Sequence, residues 1–162
     1  MARVYLGLGS NINAEENLRL GINELRSRFG SVDLSGVYQS AALGFDGDDF
    51  WNMVVGLTSD ESPLDIHRQI EEIHALSGRQ RGVDRLTSRP LDIDLLMYGD
   101  IVSTQPPLRL PRQDILEYSF VLRPFAELAP DTVHPETGRT LAAHWQDFDA
   151  ARHPLTPVRV IL

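Results

Sequence analysis

The amino-acid sequence predicts an α+β protein with a ferredoxin-like core, an antiparallel sheet with helices packed on one of its faces. Three observations lead there: the elements run strand, helix, strand, strand, helix, strand; the strand segments are apolar with period two; and both helices carry a single apolar stripe. With 162 residues, 42% of them hydrophobic, the chain can bury one sizeable core, and a single domain over residues 1–162 is expected.

Val4, Leu6 and Leu8 alternate with Tyr5 and Gly7, an opening strand whose two faces both meet apolar material, and Gly9, Ser10 and Asn11 are expected to end it. Asn11 or Asn13 can cap the helix that follows, where Leu18, Ile22, Leu25 and Phe29 recur at helical spacing and Gly30 supplies a stop. Residues 32–39 alternate apolar and polar, and residues 50–57 form another strand-like run; the glycine- and aspartate-bearing stretch 40–49 between them reads as a loop. Pro63 suits a first helical turn, after which Ile66, Ile70, Ile73 and Leu76 keep one face apolar as far as Gly78, with His74 on the polar face. Residues 91–98 are the next strand, closed by a tight turn at Gly99 and Asp100. Residues 115–128 and 140–148 read as helical, with Pro124 starting a new helix because its ring and missing N–H disfavour an interior position. Val158, Val160 and Leu162 suggest a short edge strand.

Composition narrows the function classes. No cysteine is present, so neither a disulfide, a thiolate metal site nor a thiol nucleophile is available. A net charge of -8 argues against a surface for nonspecific nucleic-acid binding. The N-terminal stretch lacks a signal-peptide pattern and no apolar run is long enough to span a bilayer, so a soluble, cytoplasmic protein is expected. There is no lysine and no P-loop, GLGS is too short for a dinucleotide fingerprint, the five histidines have no zinc-ligand spacing, and Ser10 has a cap or turn role rather than a nucleophile's surroundings.

What remains is a local concentration of charge. All 15 basic residues are arginine, and Arg79, Arg81, Arg85 and Arg89 run directly into Asp92 and Asp94. Two residues apart on a strand, those aspartates share one face at about 6–7 Å spacing. The pattern also fits an ordinary half-buried strand, with the carboxylates in solvent and Leu91, Ile93 and Leu95 in the core. The adjacent guanidinium groups favour a different reading, because an anion clamp beside a metal clamp is what phosphoryl transfer requires. Phe50, Asn52 and Phe120 could sandwich a flat heterocycle and read its edge, although core aromatics show the same pattern.

Taken together, VYLGLGSNI, FWN, RPLDIDLLMYGD and FVLRPFAELAP, in that order, resemble the 6-hydroxymethyl-7,8-dihydropterin pyrophosphokinase family. The resemblance implies diphosphate transfer from ATP, the co-substrate, to a reduced pterin in folate biosynthesis; separately, a cytoplasmic monomer that engages neither nucleic acid nor membrane is expected. It implies that Asp92 and Asp94 hold two Mg2+ ions, that Arg79 and Arg89 act in catalysis and clamp the phosphates, and that Arg81 and Arg85 belong to a closing arginine loop. By the same resemblance Phe50 and Phe120 cover the two faces of the pterin, Asn52 bonds its edge, and Ser40, Leu43 and Gly44 complete its pocket. Stretches 44–49 and 78–82 are expected to move on closure.

The chain departs from the family pattern at His74, usually glutamate, at Leu86, a tryptophan in some relatives, and at Arg112, Gln113 and Tyr118. Arg109 and Arg112 can supply positive charge to the triphosphate there. No side chain is singled out as general base, metal activation and transfer to solvent being equally admissible. A pyrophosphokinase for a related pterin, and a pterin- or nucleotide-binding module without activity, are the alternatives.

Overall fold

The computed structural model describes residues 1–43, 47–78 and 90–162. In chain order these form β1 (Ala2–Ser10), α1 (Ala14–Phe29), β2 (Asp33–Leu34), β3 (Val37–Ser40), β4 (Phe50–Ser59), α2 (Pro63–Leu76), β5 (Asp92–Tyr98), α3 (Asp114–Glu117), α4 (Ser119–Leu128), α5 (Leu141–Asp147), a 3-10 turn at Ala150–Arg152, and β6 (Thr156–Val158).

The sheet runs β5-β1-β4-β3-β6, with β2 also paired to β4, and every pairing is antiparallel. Its first four strands have the order of a ferredoxin-like core, as the sequence predicts. The period-two pattern of β1 sorts its side chains: Val4, Leu6 and Leu8 join Met53, Val55, Leu57, Ile93 and Leu95 against α1 and α2. Tyr5 faces the other way, with Val54, Leu96 and Met97, against Ile115, Leu122, Phe125 and Leu141. Helices therefore cover both faces, not one: α3, α4 and α5 bury an apolar surface that would otherwise face water. A register shift between Tyr5 and Leu6 lets Leu96 and Met97, adjacent in sequence, both join this second layer.

Several boundaries move for physical reasons. β1 continues through Gly9 and Ser10 because it is paired on both sides, Gly9 facing Asn52 of β4 and Asp92 of β5. Asn13 occupies the N-cap position of α1 in a left-handed conformation (φ 43°) and makes no side-chain cap; Asn17 Nδ2 instead donates to the Ile12 carbonyl at 2.6 Å. Gly30 ends the helix with a positive φ of 84°, its N–H bonded to the Arg26 carbonyl. The strand expected over residues 32–39 is split at Ser35 and Gly36, where the Gly36 N–H turns to Glu127 Oε1 of α4 at 2.5 Å. β4 runs two residues further than expected, to Ser59. The helix expected over 115–128 breaks at Tyr118, whose backbone is extended, and Pro124 lies inside α4 rather than at its start. The interior proline is tolerated because α4 is buried on its inner face, with Leu122 and Phe125 at 1% and 0% exposure. The C-terminal edge strand pairs with β3 through Thr156–Val158, and Val160 and Leu162 pack against the first core layer without extending it. Among the described residues no helix is long and apolar enough to cross a membrane.

Candidate active site

The alternation that sends Ile93 and Leu95 into the α1/α2 layer turns Asp92 and Asp94 to the opposite face, where both line a cavity of about 660 Å³. They are not simply solvent-facing strand residues. On β1 their register partners are Gly9 and Gly7. A Cβ at Gly9 would stand 3.1 Å from Asn52 Oδ1, and one at Gly7 would stand 3.4 Å from Leu96, so the two glycines keep the cavity floor open. This role of GLGS is missed when the motif is tested only as a dinucleotide fingerprint; its signal is glycine alternating on a strand that is otherwise apolar.

The cavity brings together the described site candidates: Ser40, Leu43, Phe50, Asn52, Asp92, Asp94, Arg109, Arg112 and Phe120 all line it. Asn52 is buried, and its Nδ2 donates to Ser40 Oγ at 2.9 Å, which fixes the amide orientation. The Phe120 ring stacks on Tyr118, centroids 4.9 Å apart and planes 16° from parallel. Tyr118 thereby adds a second aromatic plane to the wall. Gly44, Arg79, Arg81, Arg85 and Arg89 lie outside the described residues.

A smaller cavity of about 230 Å³ lies on the other side of β5, lined by His67, Glu71, His74, Pro107 and Leu108. It shares Asp92, Asp94, Arg109 and Arg112 with the larger one. The two chambers therefore meet at the carboxylates.

Both shared arginines are held by acids. Arg109 donates to the Pro111 carbonyl at 2.6 Å and pairs with Glu136 at 3.1 Å. Arg112 Nη1 lies 3.7 Å from Asp94 Oδ1, and its Nη2 lies 3.4 Å from Asp114 Oδ2. Burial acts to lower the Arg112 pKa, but the charges of Asp94 and Asp114, the bond to Asp114 and the charge of Asp92 hold it above the ordinary arginine value.

His74 is not a polar-face residue. It is 5% exposed, and its Nε2 accepts the backbone N–H of Ile93 at 2.8 Å, between the two aspartates in sequence. Among the described residues β5 pairs with β1 alone, so an N–H on its outer side needs an acceptor, which the imidazole supplies. That bond puts the ring proton on Nδ1, which faces Glu71 Oε1 at 3.4 Å. Ser10 has the structural part expected of it, its Oγ bonding the Ile12 and Pro90 carbonyls and so tying the end of β1 to the approach to β5.

The donor set at the junction suits a hard cation. Asp92 and Asp94 offer carboxylate oxygens on one strand face, and among the described residues no group of three or more His, Cys, Asp or Glu is assembled into a closed cage. Magnesium characteristically takes one or two protein carboxylates and completes its shell with water and phosphate oxygens.

Comparison with known proteins agrees with this chemistry. The sequence model of 7,8-dihydro-6-hydroxymethylpterin-pyrophosphokinase matches residues 5–130. The 2-amino-4-hydroxy-6-hydroxymethyldihydropteridine pyrophosphokinase of Synechocystis is 35% identical over 156 residues, covering 94% of this chain and 80% of that protein. The Pseudomonas aeruginosa protein of the same name is 35% identical over 143 residues, covering 86% and 87%. The folic acid synthesis protein fol1 of Pneumocystis carinii is 30% identical over 158 residues, but this chain spans only 21% of its length. The crystal structure of Plasmodium falciparum HPPK-DHPS with pterin and p-hydroxybenzoate superposes with a TM-score of 0.74 at 14% identity, over 93% of this chain and 43% of that one, a likeness of fold.

Proposed function

The chain belongs to the 7,8-dihydro-6-hydroxymethylpterin-pyrophosphokinase family, and from that premise we propose how its own residues carry out diphosphate transfer from ATP to 6-hydroxymethyl-7,8-dihydropterin, a step of folate biosynthesis. The observation that carries the assignment of parts is the meeting of two chambers at Asp92 and Asp94. A two-substrate transfer needs its acceptor and donor on either side of the reacting phosphorus, brought together in one geometry.

The larger chamber takes the pterin. Phe50 and Phe120 cover its faces, and Asn52, its amide set by Ser40, bonds the heterocycle edge through Oδ1. Leu43 and Gly44 complete that pocket. The smaller chamber takes the nucleoside end of ATP, which lays the triphosphate across the shared aspartates and beside Arg109 and Arg112. Arg79 and Arg89, with Arg81 and Arg85 on the same segment, clamp the phosphates and balance the charge of the departing AMP.

Asp92 and Asp94 would hold magnesium, two ions in our reading, which would supply charge neutralisation along the triphosphate. The hydroxymethyl oxygen forms the new bond to the β-phosphorus, the bond from that phosphorus to the oxygen bridging to the α-phosphorus breaks, and AMP leaves with that oxygen. The hydroxyl proton leaves as the new bond forms, and metal activation or transfer to a water at the site can carry it away. Closure of stretches 44–49 and 78–82 over the phosphates excludes water as a competing acceptor.

We place this activity in a single domain over residues 1–162, acting as a cytoplasmic monomer on two small-molecule substrates. The test is an assay with ATP and 6-hydroxymethyl-7,8-dihydropterin, with and without magnesium. AMP and pterin diphosphate appearing together, only with the metal, is the expected result; ADP instead of AMP, or no transfer, would reject the assignment.

A further inference from the structure

We propose that Arg112 is an internal counter-ion that occupies the Asp94 side of the carboxylate pair until ATP arrives, so that the protein takes up its divalent cation together with the nucleotide rather than before it. The inference rests on the transfer reading above and adds an order of assembly to it.

The geometry is that of a loosely held cation. Arg112 reaches Asp94 at 3.7 Å and Asp114 at 3.4 Å, beyond the roughly 2.7–2.9 Å of a good charge-assisted hydrogen bond. Its Nε is buried and makes no hydrogen bond among the described residues. Its backbone, by contrast, is pinned, the Arg112 N–H donating to the Leu96 carbonyl of β5 at 2.9 Å. A fixed backbone beside β5 with an under-bonded guanidinium describes a group that is stationed at the carboxylates but can exchange them for better acceptors.

The triphosphate supplies those acceptors. Phosphate oxygens pair with guanidinium bidentately, which would satisfy donors that Asp94 leaves unmet, and the movement would return Asp94 to the metal. Before ATP binds, a divalent cation must instead enter beside a positive charge already interacting with the same carboxylate, and like charges at such distances repel. Arg109, the other arginine shared by both chambers, is engaged instead by the Pro111 carbonyl at 2.6 Å and by Glu136 at 3.1 Å.

The experiment is Mn2+ titration of the metal-free protein, read by electron paramagnetic resonance, without pterin and with or without ATP. Wild type is expected to bind Mn2+ weakly alone and more tightly with ATP. Arg112→Gln should bind Mn2+ alone about tenfold more tightly, roughly 1.4 kcal/mol, and ATP alone more weakly. Arg112→Lys, which keeps the charge, should resemble wild type, while Asp94→Asn should lose the tight binding in both backgrounds, locating the signal. Arg139→Gln, which removes an exposed arginine paired with Asp147 at 2.7 Å, controls for net charge. Melting curves establish that each variant is folded.

Unchanged or weaker Mn2+ binding by folded Arg112→Gln would overturn the proposal. So would equal tightening by Arg139→Gln, or tight binding that survives Asp94→Asn. Failure of wild type to release AMP would instead reject the transfer reading, and is scored in a separate assay.

Discussion

Replacing His74 by alanine tests whether the aspartate-bearing strand is held in place from behind. The imidazole is 5% exposed and accepts the Ile93 N–H at 2.8 Å, on the side of β5 that β1 does not cover. His74→Ala would strip that buried N–H of its acceptor. Orphaning a buried donor costs about 1–3 kcal/mol, and loss of the ring's packing adds to this. A destabilisation of about 2 kcal/mol should lower Tm by roughly 4–8 °C for a chain of this size. Because Ile93 lies between Asp92 and Asp94, relaxation of its backbone should also depress kcat, with little change in pterin affinity. His74→Gln, whose amide oxygen can replace the acceptor, should recover much of both losses. Thermal unfolding and steady-state AMP release on the three proteins provide the readout. His74→Ala as stable and active as wild type, or His74→Gln as damaged as His74→Ala, would refute the reasoning.

Other perturbations separate the parts of the site. Asp92→Asn and Asp94→Asn should each lower kcat by about 100-fold or more while leaving pterin affinity near wild type, whereas Phe120→Ala should weaken pterin binding about tenfold with a smaller loss in kcat; calorimetry and initial rates distinguish the two patterns. Gly9→Ala would place a Cβ 3.1 Å from Asn52 Oδ1, so the amide must shift, and KM for the pterin should rise several-fold while KM for ATP is retained. His134 has its pKa lowered first by burial, then by the charges of His144 and Arg109, against an opposing effect of Glu136. Between its folded and unfolded pKa values the unfolded chain binds more protons, so stability is full above about pH 6.5 and is lost as pH falls through the lower folded value. Urea unfolding across that range should show this slope, reduced in His134→Gln.

The core was legible where one periodicity served one face. Ile66, Ile70 and Ile73 of α2 and Val4, Leu6 and Leu8 of β1 read correctly because their burial follows from local spacing. The split between β2 and β3 was not legible, because the acceptor that draws the Gly36 N–H away, Glu127, lies 91 residues along the chain. Pro124 misled for a related reason: its local cost is genuine, but the burial of Leu122 and Phe125 on α4 outweighs it. In the site, the order of the motifs identified Asp92, Asp94, Phe50, Asn52 and Phe120 as candidates, and strand alternation placed both carboxylates in one cavity. The parts of Gly7, Gly9 and His74 depend on which strands become neighbours, and sequence spacing alone does not carry that information.

The most direct measurement is a crystal structure of the protein with magnesium, a non-transferring ATP analogue carrying a methylene bridge between its α- and β-phosphorus atoms, and the reduced hydroxymethylpterin. The account predicts a pterin ring between Phe50 and Phe120, nucleoside beside His67 and Pro107, and the phosphates joined to Asp92 and Asp94 through divalent metal. A phosphate chain lying away from β5, with both carboxylates uninvolved in metal binding, would contradict it.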